Sequence, residues 1–322
     1  MTAVATRRLQ VNGLRMSVTE SGQGPLVLLC HGFPELACSW RHQVQALAAA
    51  GYRVAAPDMR GYGGTEAPAD VEAYTLLHLV GDMVDLVKVL GKETGHTRAV
   101  VVGHDWGAAV AWHCALLRPD LFHAVVGMSV PYAPPGRIDL ISALEQAGIH
   151  DFYMQYFQPP GQAEAELESD PTASIRRIHY SGSGDASARN TFCRLGAGGL
   201  LANTCEPEQL PAWLSADDLA VYGAAFAASG FRGGLNWYRN LRRNTALLSP
   251  WRGQPIRQPS LFIAGTRDDV LRFPASQGQI DAFARTLPGL RGCHLIDGAG
   301  HWIQRERADA VNQHLIEFLR GL

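Results

Sequence analysis

Leu9 to Glu20 alternates apolar and polar side chains around Asn12-Gly13, the pattern of a β-hairpin. The segments that follow do not alternate. Pro25-Leu26-Val27-Leu28-Leu29-Cys30, Arg53 to Ala56, Arg98 to Val102 and Ala124 to Val130 are short and mostly apolar, as expected of strands covered on both faces. Between them the period becomes helical. A helix is expected over Ser39 to Ala50. A second spans Val71 to Leu90, with Leu76, Leu79, Val80, Met83, Val84, Val87 and Leu90 on one side. Strands that alternate with helices imply a mostly parallel sheet flanked by helices, an α/β class.

The alternation stops at Pro131-Tyr132-Ala133-Pro134-Pro135-Gly136. Residues 131–250 contain helical stretches, loops such as Ser181-Gly182-Ser183-Gly184-Asp185 and many aromatics, but no clear strand. Alternation resumes with Pro259 to Gly265, followed by a helix over Pro274 to Leu287, a strand over Cys293 to Asp297 and a closing helix over Ala308 to Leu319. The expected organisation is a core from 1–130 and 251–322 with a helical cap domain, 131–250, inserted in it.

Composition narrows the partners. The 322-residue chain is 47% hydrophobic and 18% charged, with a formal net charge of -2. This provides no electrostatic case for nucleic acid or an anionic membrane surface. Met1 to Met16 has arginines but no apolar core, which argues against a secretory signal, and no apolar run is long enough for a membrane span. The six cysteines match neither a zinc site nor a disulfide framework, so free thiols in the cytoplasm are expected. Cys30 beside His31 is read as a buried strand residue, because strand neighbours point to opposite faces.

The chemistry begins at Gly103-His104-Asp105-Trp106-Gly107, between an apolar strand and an apolar helix. Strand, tight turn and helix with these glycines form the layout of a nucleophile elbow, G-x-S-x-G, with Asp in place of Ser. A carboxylate displaces a leaving group at an alkyl carbon more readily than it attacks an acyl carbon. The bland reading of Asp105 is a helix cap, but the paired glycines favour a nucleophile. The ester it forms must be hydrolysed, which needs a base and an acid to orient that base. His301, in Asp297-Gly298-Ala299-Gly300-His301-Trp302, has the required place in chain order. The acid should follow the strand that ends at Gly265, where Asp268 and Asp269 both qualify. The alternative position, after Ala124 to Val130, has no carboxylate before Asp139. In His31-Gly32-Phe33-Pro34-Glu35, the Phe33 amide can face an oxyanion, and the Trp106 amide is the second donor.

Five motifs in order resemble the soluble-type epoxide hydrolases of the α/β-hydrolase fold. They are the His31–Glu35 and Gly103–Gly107 segments, Tyr153-Met154-Gln155-Tyr156-Phe157-Gln158, Asn236-Trp237-Tyr238-Arg239 and Gly300-His301-Trp302. The resemblance spans nearly the whole chain and implies several roles. Tyr153 and Tyr238 would donate to the epoxide oxygen, with Tyr153 preferred to Tyr156. Asp268 would be the acid, His104 and Glu35 would position the hydrolytic water, and Pro34 would be cis. Gly234 stands where relatives often have proline, which is expected to loosen the approach to Tyr238. No metal or organic cofactor is implied. The partners are an epoxide and water, with the chain as monomer or homodimer.

The runner-up is a haloalkane dehalogenase using the same Asp and His, with Trp106 as a halide ligand. A halide leaves as a stable anion and needs no acid, so the two cap tyrosines count against it. A fluoroacetate-type dehalogenase would want arginines directly after the nucleophile, and Trp106 to Ala109 provides none. A non-catalytic receptor on this scaffold would be free to lose these groups, yet every candidate is present.

Overall fold

The computed structural model describes residues 3–186, 193–196, 198–273 and 275–322. The hairpin forms as β1 (Ala5–Val11) and β2 (Leu14–Ser21), with Val11 paired to Leu14. Asn12 and Gly13 take positive φ angles of 49° and 79°, which a two-residue hairpin turn requires. The remaining strands are β3 (Leu26–Cys30), β4 (Arg53–Pro57), β5 (Ala99–His104), β6 (Phe122–Met128), β7 (Ser260–Gly265) and β8 (Leu290–Ile296). Among the described residues they make one sheet in the order β1-β2-β4-β3-β5-β6-β7-β8. Pairing is antiparallel from β1 to β4 and parallel from there to β8.

β3, β4 and β5 are buried at every position, which is why their sequences read as mostly apolar runs. Alternate side chains feed two cores. Leu28, Val101, Val125 and Phe262 lie on one face; Val27, Val100, Val102 and Val126 lie on the other. The first face packs α2 (Leu76–Thr94) and α3 (Trp106–Leu117), while the second packs α1 (Arg41–Ala49). The expected helix over Val71 to Leu90 divides. Val71–Tyr74 is a separate short turn, and Thr75 is extended and caps α2, its hydroxyl accepting the His78 amide. A threonine that can satisfy a free amide competes with continuing the helix.

Between β6 and β7 the chain leaves the sheet. It forms α4 (Leu140–Gln146), α5 (Tyr153–Tyr156), α6 (Gln162–Leu167), α7 (Pro171–Ser181), α8 (Ala216–Ser229), α9 (Arg232–Arg239) and α10 (Leu241–Leu247). The short α5 and α9 are held together by Arg239. Its guanidinium donates to the Phe157 carbonyl at 3.0 Å and to Glu164 Oε1 at 2.7 Å. Removing one partner of such a buried pair costs ~3–5 kcal/mol.

After β7 come α11 (Ser276–Asp281) and α12 (Phe283–Thr286), where the sequence predicts one helix from Pro274; Pro274 itself lies outside the described residues. After β8 come α13 (Ile303–Glu306) and α14 (Ala308–Arg320), the latter packed on the same face as α1. Among the described residues no helix is long and apolar enough to cross a membrane.

Candidate active site

The candidate residues gather at the carboxyl ends of β3, β5, β6, β7 and β8, where loops are free to aim side chains. Asp105 sits between β5 and α3 with φ 53° and ψ -123°, a conformation that non-glycine residues rarely hold. The flanking glycines make it possible. A Cβ on Gly103 would strike the Gly107 carbonyl, and one on Gly107 would strike the Cys30 carbonyl. Burial raises the Asp105 pKa, against the opposing pull of His301, His104 and the Phe33 and Trp106 amides.

The two oxygens of Asp105 have different surroundings. Oδ1 accepts the Phe33 amide at 2.8 Å, whereas Oδ2 lies 3.7 Å from His301 Nε2. The Phe33-Pro34 peptide bond is cis. The loop has no room for a side chain at Gly32, where a Cβ would meet the Asp105 carboxylate.

His301 Nδ1 donates to Asp268 Oδ1 at 3.1 Å, with Ser129 Oγ 2.9 Å from the same nitrogen. Burial by itself would lower the His301 pKa. The hydrogen-bonded Asp268, with Asp105 and Glu35 nearby, outweighs it and raises the value to about 9. Burial opposes ionisation of Asp268 too, yet His301 and Ser129 hold its pKa below the usual carboxylate value. Asp269 instead faces Arg272, 3.2 Å away, so geometry separates the two adjacent carboxylates.

Sequence reasoning missed Ser129. It follows β6, the position where the sequence offered no acid, and its φ of 69° is strained for a serine. A polar residue at that strand end was a usable signal.

Tyr153 on α5 and Tyr238 on α9 line the same narrow cavity as Asp105 and His301, with ring centroids 5.9 Å apart. Phe33, Phe157, Leu200, Phe273 and Trp302 complete an apolar wall around about 30 Å³ of free space. Burial raises the pKa of both phenols well above the ordinary tyrosine value, which keeps their protons in place. Tyr156 is only partly buried and interacts with Glu166 outside this cavity.

His104 is fully buried. Its Nδ1 lies 2.7 Å from Glu35 Oε2 and its Nε2 lies 2.7 Å from the His301 carbonyl. Both nitrogens are therefore committed to protein partners. Glu35 Oε2 also accepts the Gly32 amide at 3.1 Å, and Oε1 accepts Gln304 at 2.8 Å. His31 is turned away from the cavity, its Nε2 accepting the Met59 amide at 2.9 Å. Gly234 does not loosen the site as expected. A Cβ there would lie 2.5 Å from the Tyr62 hydroxyl and 2.7 Å from Phe33, so the space is already filled. Among the described residues no group of three or more His, Cys, Asp or Glu could hold a metal ion.

Comparison with known proteins identifies the family. A family model described as alpha/beta hydrolase fold matches residues 25–308. The chain is 46% identical to epoxide hydrolase A of Mycobacterium tuberculosis, over 100% of this chain and 99% of that one. It is 41% identical to an epoxide hydrolase of Caballeronia sordidicola, over 97% and 92%. Among solved structures, an epoxide hydrolase from an endophytic Streptomyces superposes with a TM-score of 0.94 at 44% identity, covering 99% of this chain and 96% of that one. Epoxide hydrolase A from Mycobacterium thermoresistibile superposes at 0.91, also at 44% identity, covering 99% of each. The chain belongs to the epoxide hydrolases of the α/β-hydrolase fold.

Proposed function

We propose that the chain converts epoxides to vicinal diols in two steps through an ester on Asp105. The observation that carries this reading is that Asp105, His301 and two protonated phenols line one narrow, largely apolar cavity. In the first step Oδ2 attacks a ring carbon, the carbon–oxygen bond breaks, and Tyr153 and Tyr238 donate to the departing oxygen. An alkoxide is a poor leaving group without such donors. In the second step His301, oriented by Asp268, takes a proton from water. The resulting hydroxide attacks the Asp105 carboxyl carbon. The negative charge that develops on Oδ1 is met by the Phe33 and Trp106 amides. Collapse expels the second oxygen as an alkoxide, which takes the proton left on the Asp105 carboxyl, so Asp105 returns ionised, His301 returns protonated, and one epoxide and one water become one diol.

The charge state of His301 gives the steps an order. A value of about 9 means that His301 is protonated while Asp105 is ionised. Ester formation removes the Asp105 charge, and with it part of what holds that proton. That proton replaces the one the tyrosines gave to the opened oxygen, so His301 becomes a base after alkylation, when a base is needed.

In this reading Pro34, His104 and Glu35 act by support. Pro34 shapes the loop that carries the Phe33 amide; His104, itself bound to Glu35, holds the His301 carbonyl, and Glu35 keeps lone pairs able to accept from the hydrolytic water. We take the helices between β6 and β7 as a cap domain, residues 131–250, over a core of 1–130 and 251–322. We take the chain to act as a monomer or a homodimer. The unpaired cysteines suit the cytoplasm.

The test is diol formation from aryl and aliphatic epoxides, with halide release from haloalkanes measured alongside. Diol without halide supports the reading. Halide without diol makes the chain a dehalogenase and removes the role given to the tyrosines.

A further inference from the structure

The end of α7 and the loop that carries His301 meet backbone to backbone. The His301 amide donates to the Gly182 carbonyl at 2.8 Å, and the Trp302 indole donates to the His179 carbonyl at 2.6 Å. No side chain fits between the two segments. A Cβ on Gly300 would strike Gly184, Ser183 and Gly182, and a Cβ on Gly184 would strike the Gly298 carbonyl.

One buried carboxylate pins this seam from below. Glu306 Oε2 accepts the Gly184 and Gly300 amides, each at 2.8 Å, and Oε1 accepts the Trp302 amide at 2.9 Å. Gly184 belongs to the inserted helical segment, while Gly300 and Trp302 flank His301. Burial raises the Glu306 pKa despite these three amides. Hydrogen bonds to a carboxylate are roughly twice as strong as neutral ones, so such a group is a stiff joint.

We propose that Glu306 is a positioning residue for His301, and that through it the docked α7 segment sets where the catalytic base stands. The proposal rests on the reading of His301 as the base of the hydrolytic step. His301 sits at the centre of the seam: its own amide is held by the inserted segment and both neighbouring amides by Glu306. The same segment reaches the oxyanion loop. Buried beside Arg305, His179 has its pKa pushed down to about 3 and stays neutral. Its Nε2 donates to the Pro34 carbonyl at 3.1 Å, and its Nδ1 accepts from Arg305 at 3.1 Å. Asp105 is held by its own elbow and by the Phe33 amide, and its hydrogen bonds involve neither Glu306 nor Gly184.

The test is Glu306→Gln in single turnovers with styrene oxide, following ester formation and ester breakdown separately. Glutamine keeps the size, but its amide group must turn a donor towards a backbone donor. Ester breakdown should slow by at least ~10-fold, since small misplacements of a catalytic group have effects of this order. Ester formation should change by less than ~2-fold, and the covalent adduct should accumulate. Gly184→Ala, which wedges the seam and leaves Glu306 intact, should give the same split and decides the matter if Glu306→Gln does not fold. Unchanged ester breakdown, or an equal loss of both steps in the deciding variant, overturns the proposal. His301→Gln is run in parallel. If that variant traps no ester, the assignment of the base fails, which is a separate outcome.

Discussion

Oδ1 of Asp105 accepts the Phe33 amide at 2.8 Å, so in the proposed mechanism one oxygen of the nucleophile already occupies the donor site where an oxyanion would later form. This divides the carboxylate between two tasks. Oδ1 is held, and Oδ2, 3.7 Å from His301 Nε2, is the oxygen that the proposal has attack. In the proposed second step, when water adds to the ester carbon, the charge develops on the oxygen that the Phe33 amide already holds, so that donor does not need to reorganise. Preorganised donors of this kind are among the largest contributions in acyl chemistry.

His301→Gln should separate the two steps. Alkylation does not use the ring as a base, whereas ester hydrolysis does, and general-base assistance is worth ~10²–10⁴-fold. Intact-protein mass spectrometry after mixing with an epoxide should find one substrate mass added to the chain. Absence of any adduct with an epoxide that the parent enzyme turns over would falsify the covalent scheme.

Tyr153→Phe and Tyr238→Phe should act on ring opening and leave hydrolysis of a preformed ester nearly untouched. The rings pack edge-on against Phe157 in both cases, so removing a hydroxyl keeps the apolar contact. Each single change should slow alkylation by ~10-fold or more, and the double change should nearly abolish it, as expected of paired acid donors. Rapid-quench measurement that finds most alkylation retained in the double variant refutes their role.

The two steps should differ in pH dependence. Protonated His301 cannot accept a proton from water, so ester breakdown should rise with pH through the His301 midpoint. That midpoint should lie below about 9, because the ester has lost the Asp105 charge that helps hold the proton in the free enzyme. Asp268→Asn removes the largest favourable charge and should move it lower still, with a reduced plateau because the ring loses its orientation. Ser129→Ala should give a smaller downward shift. Stopped-flow profiles of ester breakdown that are flat between pH ~5 and ~9, the range in which histidines titrate, contradict this account.

Gly234→Ala should destabilise the protein and disturb the oxyanion loop. The new methyl would lie 2.5 Å from the Tyr62 hydroxyl and 2.7 Å from the Phe33 ring, two buried side chains with little freedom to move. Overpacking of this sort costs ~1–3 kcal/mol, and displacement of Phe33 should slow both chemical steps together. An alanine variant with unchanged melting temperature and unchanged rates shows that the pocket yields there.

The chain order of strands and helices, the sharp turn at Asp105 and the loop bearing His301 were all legible from residues close in sequence. Period and glycine placement report which face of an element is covered and where the backbone must turn. They do not report what meets across the sheet. Asp268 and Asp269 are neighbours of identical chemistry, and only the short turn after β7 aims the first at His301 and the second at Arg272. Tyr153 and Tyr156 stand on one short helix, and the packing of α5 against α9 decides which of them enters the cavity. Ser129 reaches His301 across 172 positions of chain, and Glu306 ties it to Gly184 across 122. Such pairings depend on the direction of individual side chains once distant segments have docked, and that direction is set by tertiary packing, which no local pattern encodes.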